Sequence, residues 1–184
     1  HKELEIIRVL SGTLHLFINN VKFVLSAGDI AFVNCKSLHR AEPVNCEYEC
    51  IVFDLAMMVK KNNEIYSSYI NPIIMSSVVI TPVLHRENSK LYSSTEELFT
   101  VLKNEPKYYE LSTMGTLFTI FEQLYLNNKI SQLISSKKKS GNANTITELI
   151  KWIDHNYSEH ITLELLAEES GLTPNYLCRI FKEY

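Results

Sequence analysis

The sequence predicts an α+β protein in which an antiparallel β-barrel is followed by helices. The first part of the chain has short apolar bursts rich in β-branched and aromatic side chains, and the last part has apolar residues at helical spacing. Residues that favour turns separate the bursts, which is typical of barrels and sandwiches built from short strands. The bursts cover residues 5–10, 13–18, 23–25, 30–33 and 48–53.

Turn residues indicate how these strands follow one another. Ser11 and Gly12 predict a turn between the first two bursts. Asn19 and Asn20 tolerate the positive φ angles of a two-residue hairpin, so the strands on either side of them are expected to be neighbours. Residues 54–85 are less regular, with strand-like runs at 73–75 and 78–80.

After residue 85 the apolar residues change to steps of three and four, which predicts two helices. One helix covers residues 91–102, and a longer one begins at Leu111 and is expected to reach residue 134. The apolar stripe of the longer helix fits packing on the barrel and fits equally well packing against a second copy in a homodimer. Residues 137–144 are polar and small, which predicts a linker.

The segment after this linker has the pattern of a helix-turn-helix. Thr145 and Glu148 have the spacing of a capping box, and they predict the start of a helix with apolar residues as far as Tyr157. Thr162 is placed to cap a short second helix over residues 163–169, whose apolar side is expected to include Leu163, Leu166 and Ala167.

The end of the second helix carries the most specific signal. A helix-turn-helix needs a small residue where its helices cross and a glycine in its tight turn, and Ala167 and Gly171 have this spacing. Thr173 and Pro174 then predict the first turn of a third helix. Its inward side chains are expected to be Leu177, Ile180 and Phe181. Its outward side chains are expected to be Asn175, Cys178, Arg179 and Lys182, which we predict to bind DNA.

Residues 161–184, ITLELLAEESGLTPNYLCRIFKEY, resemble the first helix-turn-helix of AraC/XylS transcription regulators. The resemblance implies that the helix from Pro174 enters the major groove of double-stranded promoter DNA, with Asn175, Cys178 and Arg179 near the bases. It also implies a contact with RNA polymerase if the protein is an activator. The family's second helix-turn-helix is missing from this chain.

The first part of the chain resembles the sensor of the same family, a cupin barrel of the jelly-roll type. The matching features are His1-x-x-x-Glu5, Gly12, and Gly28-Asp29-Ile30 leading to His39. The resemblance implies a small-molecule effector. The expected domains are a sensing barrel over residues 1–85, a helical dimerisation segment over 86–136, a linker over 137–144 and a truncated DNA-binding domain over 145–184.

Polar residues within the apolar strands are candidate effector ligands, namely His1, Glu5, Arg8, His15 and His39. His1, Glu5 and His39 also have spacings that resemble part of the metal site of enzymatic cupins. A metal-dependent cupin enzyme with an appended helical module is therefore the alternative function. We favour a sensor that is not an enzyme and has no metal or cofactor, because the chain shows no complete ligand cluster.

Composition indicates where the protein is expected to be located and how strongly it is expected to bind DNA. The four cysteines are scattered without a CxxC pair, and no apolar stretch approaches the roughly 20 residues that span a bilayer, so we expect a cytoplasmic protein with no membrane contact. The formal net charge is −3, and acidic residues outnumber basic ones from residue 140 onward. Since affinity for DNA depends on neutralising phosphates, this part alone is expected to bind DNA weakly.

Overall fold

The computed structural model describes residues 3–87, 89–132 and 141–183. The chain divides into two compact units, His1–Leu133 and Ile134–Tyr184. The strands are β1 (Leu4–Ile18), β2 (Val21–Ser26), β3 (Ile30–Val33), β4 (His39–Phe53), β5 (Val78–Ile80), β6 (Val83–Leu84) and β7 (Ile130–Gln132). The α-helices are α1 (Asn71–Ile74), α2 (Lys90–Asn104), α3 (Tyr109–Leu126), α4 (Gly141–Asn156), α5 (Leu163–Ser170) and α6 (Pro174–Glu183), and a 3-10 helix (Leu55–Met57) and a π-helix (Tyr66–Ile70) precede α1.

The long strand β1 organises the first unit. β4 pairs with one edge of β1 along nearly its whole length, while β2 and β3 pair with different halves of the other edge. β6 extends the sheet beyond β3, and β5 and β7 form a separate antiparallel pair. The mixed α and β composition and the antiparallel sheet were predicted correctly; the jelly-roll arrangement stays a prediction.

The predicted turn at Ser11 and Gly12 is wrong, because β1 continues through both residues. Gly12 has a φ of 74° and Asn45 on β4 has a φ of 45°, and the register between the two strands shifts around them. This irregularity is a β-bulge, and an extra residue in a strand reverses which side chains face each side of the sheet. Glycine fits here because it adopts positive φ without strain, which is the property that suggested a turn.

The two faces of the sheet bury different apolar clusters. Leu4 and Ile6 belong to a cluster that includes residues of α2 and α3, so this is the helix-covered face. Ile7, Val9 and, beyond the bulge, Leu14 belong to the other cluster, which we call the inner face. The inner cluster consists of Ile7, Val9, Leu14, Leu16, Ile18, Leu25, Ala31 and Val33.

The hairpin between β1 and β2 was predicted correctly. Asn19 and Asn20 have φ angles of 48° and 67°, and Ile18 pairs with Val21 across the two-residue loop. Two consecutive positive φ angles are the requirement of a type I′ turn, whose twist matches that of the strands.

Three predicted elements differ from the structure. Residues 73–75 are not a strand, because α1 covers Asn71–Ile74. α3 ends at Leu126 rather than continuing to residue 134, and β7 follows it within the predicted dimerisation segment. α4 begins at Gly141 rather than at Thr145, so residues 141–144 of the predicted linker are helical. The rest of that linker, 137–140, lies outside the described residues.

Three apolar side chains in the second unit are more exposed than predicted. Ala167, Leu177 and Ile180 are buried as expected, at 3%, 1% and 0% exposure. The exposed side chains are Tyr157 at 79%, Leu163 at 39% and Phe181 at 39%. Apolar spacing on a helix therefore identified the centre of the core and overestimated its width.

We expect Gly12→Ala to lower the free energy of unfolding by about 1–3 kcal/mol, because it strains the bulge. A Cβ at residue 12 would lie 1.9 Å from the backbone oxygen of Asn45. Gly115→Ala is the matched control: it adds the same methyl group to a helix with nothing within 4 Å, and we expect a gain of about 0.5–1 kcal/mol. Urea unfolding followed by circular dichroism measures both variants. Equal free energies of unfolding for Gly12→Ala and Gly115→Ala would contradict the assignment of the bulge.

Candidate functional site

Backbone and side-chain caps position the three-residue turn between α5 and α6. The Thr162 hydroxyl accepts a hydrogen bond from the Leu165 amide at 3.2 Å at the start of α5. Gly171 ends α5 with a φ of 65°, which is the left-handed conformation predicted for the helix-turn-helix glycine. The Thr173 hydroxyl accepts from the Tyr176 amide at 3.4 Å, as predicted for the start of α6.

The predicted DNA-binding side chains share the outer surface of α6. Asn175, Cys178, Arg179 and Lys182 are all exposed, whereas Leu177 and Ile180 are buried. The guanidinium carbon of Arg179 lies 4.7 Å from the centre of the Tyr176 ring. Stacking of this kind is a cation–π contact and restricts where the guanidinium points.

Acidic residues dominate the exposed surface of α5. Glu164, Glu168 and Glu169 are exposed on this short helix. Carboxylates repel DNA phosphates, so within this pair of helices only α6 offers favourable charge to a duplex. The two helices can therefore face DNA only with the surface of α6 that carries Arg179 and Lys182.

In the first unit, Glu5 and His39 contact each other directly. Nε2 of His39 lies 3.0 Å from Oε2 of Glu5. The β4 ladder pairs His39 with Ile18, which is 13 residues from Glu5 along β1. A straight strand of that length would span about 40 Å. The contact therefore requires the sheet to curl until the two ends of β1 approach each other.

The surroundings of His39 favour its protonated form. Nδ1 lies 3.2 Å from the Ser37 carbonyl oxygen, and Nε2 faces the Glu5 carboxylate. A ring protonated on both nitrogens can donate to both acceptors, whereas neutral histidine has one donor. The hydrogen bond with Glu5 raises the pKa of His39, while burial opposes the change and the Ser37 carbonyl adds to it.

A strip of partly apolar side chains on β4 lies beside this pair and is open to solvent. Tyr48, Cys50 and Val52 lie opposite Val9, Ile7 and Glu5 in the ladder. Directly opposed residues share a face of the sheet, so these three belong to the inner face, and we call them the inner strip. Tyr48 is 38% exposed and Val52 is 51% exposed, and Cys50 is also exposed.

The candidate effector ligands do not form one cluster. Glu5 and His39 meet on the inner face, whereas Arg8 projects from the opposite face toward α2. His15 also points away from the inner face, because its neighbours Leu14 and Leu16 both lie in the inner cluster. His1 lies outside the described residues. In the described parts of the chain no group of three candidate metal ligands occurs.

Sequence reasoning missed the inner strip and the residue beneath Arg179. The alternation of Tyr48, Cys50 and Val52 shows only that they share a face, and their exposure depends on what covers the strand. Tyr176 and Arg179 are three residues apart, so they are neighbours on one face of a helix, and this spacing could have predicted that their side chains stack.

Stability should fall with rising pH as His39 loses its proton. Because folding raises this pKa, the pair stabilises the protein fully below the unfolded value of about 6.5, and the contribution is lost as pH rises through the folded value. His39→Gln should flatten the pH dependence of the unfolding free energy between these two pKa values. Glu5→Gln should flatten it too, since it removes the main cause, and unchanged slopes in both variants would contradict the assignment.

Comparison with known proteins matches the chain to a curated relative. No protein-family model matches the chain. The chain is 25% identical over 190 residues to the uncharacterized HTH-type transcriptional regulator YdeC of Bacillus subtilis (strain 168), covering 99% of this chain. It spans 63% of the length of that relative.

A solved structure also aligns with the chain. It is the AraC-like transcriptional activator CuxR, with a TM-score of 0.46 and 12% identity over 98% of this chain and 60% of CuxR. A similarity this distant adds nothing to the sequence match. The chain is thus a relative of an HTH-type transcriptional regulator along nearly its whole length, which supports the predicted helix-turn-helix regulator.

Proposed function

We propose that this chain senses an effector with its first unit and binds promoter DNA with its second, as part of a transcription regulator of the AraC/XylS type. The observation that carries the proposal is α6, which follows a left-handed glycine turn and exposes four residues suited to DNA. The relation to an HTH-type regulator supports it. A second helix-turn-helix would belong to a part of the protein outside this chain.

The four residues of α6 have different proposed roles. Arg179 can donate two hydrogen bonds to a guanine, and Asn175 can pair with an adenine. Lys182, near the end of the helix, supplies charge to phosphate. Cys178 lies between them, where a small side chain allows the helix to approach the bases closely.

The proposed effector site is the inner strip together with Glu5 and His39. Among the six paired residues around the strip, Glu5 is the only charged one, and His39 offsets its charge. An uncharged, largely apolar effector fits such a surface, since a charged ligand would find no free partner among these residues. Thermal-shift screening of charged and uncharged aromatic compounds tests this, and stabilisation only by charged ones would count against it.

Arg179→Ala should relax sequence preference at one base pair and cost about 1–3 kcal/mol in specific binding. The measurement is selection from random duplexes with the full-length regulator, followed by titration at two salt concentrations. Lys182→Ala should instead weaken binding to all sequences and reduce the salt dependence. Lys60→Ala, an exposed lysine of the first unit, is the matched control. If no sequence is enriched by the unaltered protein, the proposed function fails.

We also propose that a second copy packs against the exposed stripe of α3. The stripe holds Leu111 at 75%, Phe118 at 38% and Leu126 at 67% exposure, with Gly115 between the first two. These residues recur at steps that place them on one side of the helix. Exposed apolar side chains on one helix face are typical of an interface.

Phe118→Glu should convert the dimer to a monomer in analytical ultracentrifugation at micromolar concentration, because it places a charge in the centre of the stripe. Ser93→Glu adds the same charge at an exposed position of α2 and should leave the dimer intact. Dimers of equal affinity in both variants would exclude α3 as the interface.

The remaining expectations about partners and setting follow from this function. RNA polymerase contact is proposed only if the protein activates transcription, and a cytoplasmic location is proposed with it. Within the described residues no helix is long and apolar enough to cross a bilayer. The alternative of a metal-dependent enzyme gains no support from the relative or from the contacts of Glu5 and His39.

A further inference from the structure

A largely buried arginine links the sheet to α2. Arg8 projects from the helix-covered face of β1, and its side chain is 11% exposed. One terminal nitrogen contacts Glu49 on β4, and the other lies 3.2 Å from Oε2 of Glu96 on α2. Its guanidinium carbon is also 4.4 Å from the centre of the Phe99 ring. Three elements therefore meet at one side chain.

The side of α2 that faces this arginine carries two charged residues and a phenylalanine. Glu96, Phe99 and Lys103 follow one another at steps of three and four, so they form one line along the helix. Lys103 lies 3.3 Å from Glu49, which makes a second ion pair between α2 and β4. Arg8 lowers the pKa of Glu49 chiefly by its hydrogen bond, although burial opposes the change.

The network around Arg8 is incompletely satisfied. Among the residues that the structure describes, Nε of Arg8 and Oε1 of Glu96 are buried without a hydrogen-bond partner. A buried polar group without a partner is unfavourable, because it has lost its hydrogen bonds with water and gained none in the protein. Both groups therefore stand to gain from a rearrangement, and packing around them is less firmly fixed than in a fully bonded network.

Glu49 lies between Tyr48 and Cys50 of the inner strip in sequence, but its side chain points to the other face of the sheet. Successive side chains of a strand point to opposite faces, so Cys50 faces the inner side while Glu49 faces α2. In the described part of the chain, β1 is the only strand that pairs with β4. A group that displaces β4 at Cys50 would therefore also displace the Glu49 carboxylate from Arg8.

We propose that Arg8 couples the inner strip to α2, so that a ligand lying against Cys50 changes how α2 packs on the sheet. The proposal rests on the proposed function in one respect, that the strip binds the effector. When Glu49 moves, Arg8 keeps Glu96 as its partner and α2 loses its ties to β4. α2 packs against α3, so the change reaches the helix that carries the proposed interface.

Coupling can be tested without knowing the effector, by placing a probe on the strip. The full 184-residue chain with Cys46→Ser and Cys178→Ser is alkylated at Cys50 with N-ethylmaleimide, which is small and uncharged. Cys35 is buried and its pKa is raised to about 11 by that burial, so it stays unreactive at neutral pH. Hydrogen exchange of α2 amides is then compared with and without the label.

We expect the label to speed exchange in α2 by roughly threefold or more in protein with Arg8, and to have little effect in Arg8→Met. Glu96→Gln, which keeps the shape and removes the charge, should also weaken the effect and serves if Arg8→Met does not fold. Labelling Cys178 in a variant with Cys46→Ser and Cys50→Ser should leave α2 unchanged.

An equal response to the Cys50 label with and without Arg8 would overturn the proposal, and so would no response in the unaltered network. A purely structural anchor would change the stability of the Arg8 variants without changing their response to the label. Because exchange in α2 is measured without DNA, failure of coupling and failure of DNA binding are separate results.

Discussion

The bulge opposite Asn45 is the constraint on which the rest of the first unit depends. It lets one strand bury odd-numbered residues before Gly12 and even-numbered residues after it on the same inner face. Without this change of phase the second half of β1 would turn Leu14 toward solvent and His15 inward. The positive φ of Gly12 and the absence of a Cβ are what make the bulge possible.

Curling of the sheet follows from the same feature. Bulges increase local twist, and the bent ribbon of β1 and β4 brings Glu5 and His39 together. This ion pair joins two distant strand segments, and it stabilises the curled sheet mainly when His39 is charged. The inner strip then lies beside a neutralised pair, which explains why an apolar surface can remain next to two ionisable residues.

Local conformational signals could be predicted from the sequence, and long-range ones could not. Asn19, Asn20 and Gly171 have the positive φ angles that their residue types suggest, because the backbone requirement is contained in a few residues. Gly12 also has a positive φ, as its residue type suggests, but a turn and a bulge both require a positive φ. Only the pairing partner on β4 distinguishes the two.

The candidate sites show the same division. The exposed face of α6 was predicted, since helical spacing and the buried Leu177 and Ile180 settle it locally. The direction of Arg8 depends on strand register, and its contacts with Glu49 and Glu96 join residues far apart in sequence. No spacing rule connects them, so the arginine was grouped with inner-face candidates that it does not approach.

The single pairing partner of β4 bears on the behaviour of the protein at high concentration. Within the described residues, one edge of β4 pairs with no strand. Such an edge is a template on which strands of other chains can pair, which leads to aggregation. This strand is poorly suited to such growth: Pro43 lacks an amide donor, Asn45 breaks the extended backbone, and Glu47 places charge along the edge. The irregularity that shapes the first unit thus also makes this strand a poor template for polymerisation through the sheet.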